Sequence, residues 1–272
     1  MLRSILLFIG SVISLFAAAQ VSVLTQHNDL ARTGANLNET QLTVANVYQN
    51  NFGKLFTRFV DDQIYTQPLV VSNLDLPGIG KKNVVYVTTV NNSVYAFDAD
   101  DASLATPYWQ QNFTSAGTAV VKNTDMTGAC GGNYKDFSGN MGIVGTPVID
   151  TVSKTMYFVS RDKKNSGGYE QWLHALNITN GNEQSFSPVL IKAKYPGTGD
   201  GSVNDTIAFD SQKQNQRPAI TLVNGIVYIA WASHCDWGPY HGWVIGYDAG
   251  TLQQKCVWMD SPTGYNAGIW MS

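Results

Sequence analysis

The chain has 272 residues, 14% of them charged, and a formal net charge of −3. That balance lacks the concentrated basic surface that a phosphate backbone requires, so nucleic acid is not an expected partner. The length is sufficient for one large domain with a substantial buried core.

Arg3 precedes an apolar run from Ile5 to Ala19 that closes on Ala17, Ala18 and Ala19. A short positive start, an apolar stretch and a small-residue exit read as a secretory signal peptide over residues 1–19. A membrane anchor is the alternative, but the run falls short of the roughly 20 apolar residues that a spanning helix needs. Charged and amide residues interrupt every later hydrophobic stretch. No membrane span is therefore expected after signal removal, and the mature chain is expected to be secreted or periplasmic.

Residues 20–51 show little alternation and read as an extended lead-in with at most one edge strand. From residue 52 strand patterns take over. The first unit, about 52–113, is expected to hold strands over 66–72, 83–90, 93–98 and 109–113, with a tight turn at Asn91 and Asn92. The second, about 140–193, is expected over 145–150, 155–161, 171–177 and 188–193. The third, about 214–260, is expected over 217–223, 225–231, 242–248 and 255–259. Residues 266–272, with Gly268, Ile269 and Trp270, read as the start of a fourth. No helix longer than a single turn is expected.

The units share a fixed interval. A proline opens the first strand, an apolar-Tyr-apolar strand follows, and an Ala/Gly-x-Asp/Asn corner closes the third strand. The anchors are Pro68, Tyr86 and Asp98, then Pro147, Tyr157 and Asn177, then Pro218, Tyr228 and Asp248. Proline and corner are 30 residues apart in every copy. Such a repeat predicts an all-β chain built as a β-propeller of four-stranded antiparallel blades, about three blades plus the start of a fourth. Propellers usually close with about four to eight blades. An incomplete ring leaves two open sheet faces, so carboxy-terminal blades beyond these are expected to complete it.

The runs from Ala96 through Asp98 to Trp109, and from Gly246 through Asp248 to Trp258, resemble the docking pattern of the secreted quinoprotein-like (pyrroloquinoline-quinone-like repeat) propeller superfamily. The stretches 142–150 and 28–36 are similar to its secreted members. The resemblance implies that Asp98 and Asp248 brace corner turns and that Trp109 and Trp258 wedge between neighbouring blades. The second unit keeps Ala175, Asn177 and Gly181 but has Phe186 in place of the tryptophan. Dehydrogenases of this superfamily imply pyrroloquinoline quinone, a calcium ion, a catalytic Asp and a vicinal Cys-Cys ring. This chain has three non-vicinal cysteines and no calcium-type carboxylate cluster, so no catalytic residue is carried over. The resemblance favours a binding or scaffold module for an extracellular protein or glycan. A quinone-dependent alcohol or sugar dehydrogenase and a carbohydrate-binding propeller are the alternatives.

In four-stranded units, the loop entering the first strand and the loop joining the second and third emerge on one face. Cys130 lies in the first kind of loop and Cys235 in the second, which predicts a Cys130–Cys235 disulfide pinning residues 114–142, with Cys256 buried in an outer strand. Next to Cys235, the residues His234, Asp236 and His241 form the densest group of potential metal ligands. Their spacing matches no standard zinc motif, and a packed Gly-Pro turn is the alternative. Arg217, Trp237 and Tyr240 are the ligand-contact candidates on the same face. Arg217 has a salt bridge to Asp61 or Asp62 as its alternative role. Aromatics at 65, 169, 243 and 265 fall near the same loops. Five glycosylation sequons occur, at Asn38, Asn91, Asn112, Asn177 and Asn204.

Overall fold

The computed structural model describes residues 21–137 and 139–270. The expected signal peptide lies outside the described residues. Apart from two single 3-10 turns at Asn123–Asp125 and Ala129–Gly132, the regular structure is all β. Four antiparallel sheets form, and none closes on itself. No helix among the described residues is long and apolar enough to cross a membrane.

The first sheet is a meander of β1 (Leu69–Leu76), β2 (Gly80–Thr88), β3 (Ser93–Asp98) and β4 (Trp109–Asn112). The second contains β5 (Thr118–Val120), β6 (Val148–Asp150), β7 (Thr155–Lys164), β8 (Tyr169–Asn177) and β9 (Val189–Leu190). β10 (Lys194–Pro196) and β11 (Thr206–Ala208) make a small hairpin. The third large sheet contains β12 (Gln214–Asn215), β13 (Thr221–Val223), β14 (Ile226–Ser233), β15 (Trp243–Asp248) and β16 (Gln254–Met259). Each of the twelve expected strands has a counterpart. Three short elements were not expected: β5, which extends the edge of β7; β12, which extends the edge of β14; and the β10–β11 hairpin.

Local chemistry explains the turns. Asn224 (φ 51°) and Gly225 (φ 73°) link Val223 to Ile226, the left-handed pair that a two-residue hairpin demands. Asn92 sits at φ 57° at the end of the β2–β3 turn. All three corners use the same side-chain brace. Asp98 Oδ1 accepts the N–H groups of Asp100 and Asp101, Asn177 Oδ1 accepts that of Thr179, and Asp248 Oδ1 accepts that of Gly250. Tyr108 and Lys82 also donate to Asp98 Oδ2. These donors hold its carboxyl well below the usual carboxylate range against an opposing burial penalty.

The units share a register as well as a pattern. Leu69, Tyr86, Ala96 and Trp109 lie side by side across the first sheet, and Val148, Tyr157 and Ala175 across the second. Thr221, Tyr228, Gly246 and Cys256 lie across the third. Every tyrosine thus faces a small residue on the third strand, which leaves room for its ring. One apolar core joins the first sheet to the second through Leu69, Tyr86, Ala96, Ile149, Met156, Phe158 and Ile178. Another joins the second to the third through Val148, Tyr157, Val159, Leu173, Ile229, Trp231 and Ile245.

The lead-in ties the three units together. Val23 pairs with Val70 of β1, the Leu24 carbonyl accepts the N–H of Ile149 in β6, and Arg32 Nη2 donates to Thr221 Oγ1 of β13 at 2.9 Å. Residues 23–32 therefore cross the first strand of each unit in turn.

Two side-chain expectations need correction. Cys256 is exposed, not buried, because no sheet covers the outward face of the third unit. Trp258 is likewise 50% exposed. It also stands opposite Val244, two residues along from the row that Trp109 occupies in the first sheet, where Cys256 takes the equivalent place. A register shift between Gly246 and Tyr247 accompanies this difference. Trp109 itself packs against the second unit's corner. It packs 5.8 Å from the Tyr86 ring, its indole N–H donates to the Ile178 carbonyl at 3.1 Å, and a Cβ on Gly181 would fall 2.7 Å from its ring.

Candidate functional site

The loops entering and joining the strands gather above the second and third sheets. The excursion between β5 and β6 folds around a small core of Val121, Met126, Ala129, Tyr134, Phe137 and Met141 that also takes in Val90 of the first unit. Its tip is held by the Cys130–Cys235 disulfide, with Cα atoms 5.4 Å apart, as the loop positions predicted. Trp237 packs half-buried against this core and against Gly128, where a Cβ would lie 2.2 Å from the indole nitrogen. Lys213 Nζ sits 5.5 Å from the Trp237 ring.

Beneath the disulfide lies a polar group that no motif announced. Arg161, within β7, is 1% exposed, and His234, after β14, is fully buried. Arg161 Nη2 is 2.9 Å from His234 Nε2, and His234 Nδ1 is 2.9 Å from the Tyr134 hydroxyl. A guanidinium only donates, so His234 Nε2 is the acceptor and the proton rides on Nδ1, which donates to Tyr134. Burial, reinforced by the Arg161 charge, drives the His234 pKa well down. Burial also pushes the Arg161 guanidinium down to about 10 and the Tyr134 hydroxyl up. The remaining Arg161 nitrogens, Nε and Nη1, have no hydrogen-bond partner among the described residues, nor do the buried side-chain oxygens of Gln214, Asn215 and Gln216.

Asn92 bridges the first unit to this region. Its side-chain amide donates to the Arg161 carbonyl at 3.1 Å and to Asp162 Oδ1 at 3.0 Å. Asp125 accepts from Lys163 and from the Lys122 N–H, so it is already engaged beside the arginine.

The expected site residues separate here. His241 Nδ1 faces Ser261 Oγ and its Nε2 faces the Asp200 carbonyl, each at 2.8 Å, whereas Asp236 accepts from Tyr240. His234, Asp236 and His241 therefore point to different partners, and among the described residues no group of three or more His, Cys, Asp or Glu is placed to hold a metal ion. Tyr240, expected to offer its ring to a ligand, is 6% exposed and spends its hydroxyl on Asp236. Arg217 is exposed, and the expected alternative ion pair is not formed. Asp61 is taken by Thr89, Asn91 and Ser93, and Asp62 by Asn140. Trp243 is fully buried, Tyr65 lies 4.6 Å from Phe137, and Tyr265 is 73% exposed. Tyr169 instead lines a cleft of about 880 Å³ with Lys164, Lys192, Phe209 and Gln212, away from Arg217 and Trp237. For a quinone and calcium, the residues described do not fit. Cys130 is bonded to a cysteine 105 residues away, and the candidate carboxylates are already bonded.

A second buried relay was missed in the sequence. Ser160 Oγ is 2.8 Å from His174 Nε2, His174 Nδ1 is 2.5 Å from Glu183 Oε1, and Ser187 donates to the other Glu183 oxygen. The connectivity is that of a nucleophile, base and orienting acid. Ser160 is fully buried, however, and His174 is stacked on Phe158 with Phe113 against its edge. Burial denies a substrate access, and the relay acts as a strut joining β7, β8 and the 183–187 loop. Ser160→Ala is expected to lower stability by about 1 kcal/mol, measured by urea unfolding, and wild-type protein is expected to resist labelling by a fluorophosphonate probe. No sequence spacing flags the pair, because only the β7–β8 register brings Ser160 beside His174.

Compared with known proteins, the chain matches no family model, and no curated protein matches it.

Proposed function

We propose that this chain is part of a secreted quinoprotein-like β-propeller that works as a non-catalytic binding module, its disulfide-held loops presenting Arg217 and Trp237 to an extracellular protein or glycan. One observation carries the reading. Tyr86 of the first unit donates its hydroxyl to the Ile178 carbonyl just past the second unit's corner, at 2.9 Å. Tyr157 of the second donates to the Ala249 carbonyl just past the third unit's corner, at 2.8 Å. The sequence separation is 92 residues in both joints. A joint that repeats from unit one to two and from two to three is what successive radial sheets require. Tyr228, in the same row of the third unit, is the donor half of a third joint, for which a further unit would supply the carbonyl.

The joint makes a paired test. Tyr157→Phe should cost about 1 kcal/mol, the net worth of one buried hydrogen bond, whereas Tyr228→Phe should leave the stability of this chain unchanged in urea unfolding. Equal effects would remove the repeat-joint argument. For the function, a glycan array and an extracellular-protein panel should give signal lost in Trp237→Ala. Dye-linked dehydrogenase activity on adding pyrroloquinoline quinone and calcium would overturn the non-catalytic reading.

A further inference from the structure

Residues 54–60 lie against the first unit through Arg58 and Val60, yet belong to no sheet. Among the described residues none of their main-chain N–H or C=O groups bonds another main-chain group, and only the Thr57 carbonyl accepts from a side chain, that of Arg58. Their side chains alternate as in a strand. Phe56, Arg58 and Val60 are half-buried, whereas Leu55, Thr57 and Phe59 are exposed, Leu55 and Phe59 at 89% each. The inward side is anchored. Val60 packs on Val87, Tyr95 and Phe97, Arg58 Nη2 donates to the Asp101 carbonyl at 2.6 Å, and the Asp61 N–H donates to the Tyr95 hydroxyl at 3.1 Å. The segment thus alternates as a strand does, with an apolar outward face and main-chain groups unpaired among the described residues, a template for pairing with another chain.

We propose that residues 54–60 pair antiparallel with the same residues of a second copy of this chain. The segment is self-complementary about Thr57. A two-fold axis there places Leu55 opposite Phe59 twice on the outward face. On the inward face it places Phe56 opposite Arg58, repeating between copies the cation–aromatic contact that Arg58 already makes with Phe56 at 4.2 Å. Lys54 falls opposite Val60, so no like charges oppose each other. The two-fold contact uses one patch twice and closes at two copies. The proposal does not rest on the propeller reading, since it needs only the free strand. A repeat unit supplied from elsewhere would compete for the same edge.

Light scattering across a concentration series, together with amide hydrogen exchange on the full chain, tests it. The expected result is a mass that rises towards twice that of the monomer, with slowed exchange at residues 54–60 in proportion to the dimer. Thr57→Pro removes a main-chain donor at the centre of the ribbon, and Phe59→Lys places a charge opposite Leu55. Both are expected to stay monomeric at concentrations where the wild type is dimeric, with unchanged melting temperature because both positions are exposed. A wild-type chain that stays monomeric with free-chain exchange at 54–60, or a dimer that persists in Thr57→Pro, would overturn the proposal.

Discussion

Replacing Cys130 and Cys235 together by serine is expected to lower the unfolding free energy by about 4–5 kcal/mol, the largest single effect anticipated for this chain. The bridge spans 105 residues, and cross-linking so long a loop removes much of the entropy of the unfolded ensemble. The loss should be local before it is global. Residues 121–144 rest on a small satellite core, and their attachment to the third unit runs through the disulfide, the Tyr134–His234 bond and the packing of Trp237. Urea unfolding of the double variant beside wild type measures the global term. Hydrogen exchange should show residues 121–137 losing protection first. A double variant as stable as wild type would mean that the excursion is held by its own core alone.

The second large effect is a fall in stability on mild acidification that traces to one imidazole. His234 is fully buried, accepts from the charged Arg161 and donates to Tyr134. Its native pKa therefore lies well below its ordinary value of about 6.5. The unfolded chain takes up a proton that the native state refuses. Stability from this group is then fully present above about pH 6.5 and falls as pH drops below it, with a slope approaching about 1.4 kcal/mol per pH unit. The depressed carboxylates, Asp98 foremost, add their losses only near and below pH of about 4, beneath the window in which His234 acts. Between pH of about 6.5 and 4.5 the wild type should therefore lose stability at up to that slope. His234→Gln, which keeps an acceptor for Arg161 and a donor for Tyr134, should flatten that part of the profile. Urea midpoints at stepped pH values check both statements, and a His234→Gln profile that tracks wild type would place the sensitivity elsewhere.

Much of the architecture is legible in the sequence. Alternation marked the strands, Asn91 and Asn92 marked a tight turn between two of them, and the fixed interval between proline and corner reflects a unit whose local geometry repeats. The cysteine pairing was legible for the same reason: once loops are assigned to one end of the sheets, only two of the three cysteines share that end. The candidate site was far less legible. Tyr240 and the two histidines belong to residue types that bind ligands and equally satisfy buried backbone, and the sequence pattern is identical for both uses. The Arg161–His234–Tyr134 group and the Ser160–His174–Glu183 strut draw residues from segments far apart or from opposed strands, so no linear spacing encodes them.

Cys256 and Trp258 show where the boundary falls. Their strand, its alternation and its place at the edge of the third unit follow from nearest neighbours along the chain. Which side chain lands in the docking row depended on a register shift at Gly246, and whether that row is covered depended on what stands beside the sheet. The sequence by itself determined the secondary structure, the repeat and its corner turns, because backbone dihedral preference, side-chain alternation and short-range hydrogen bonds act over a few residues. Only the tertiary structure decided burial, protonation and which polar groups meet, because desolvation and electrostatics depend on neighbours that the chain delivers from a hundred residues away.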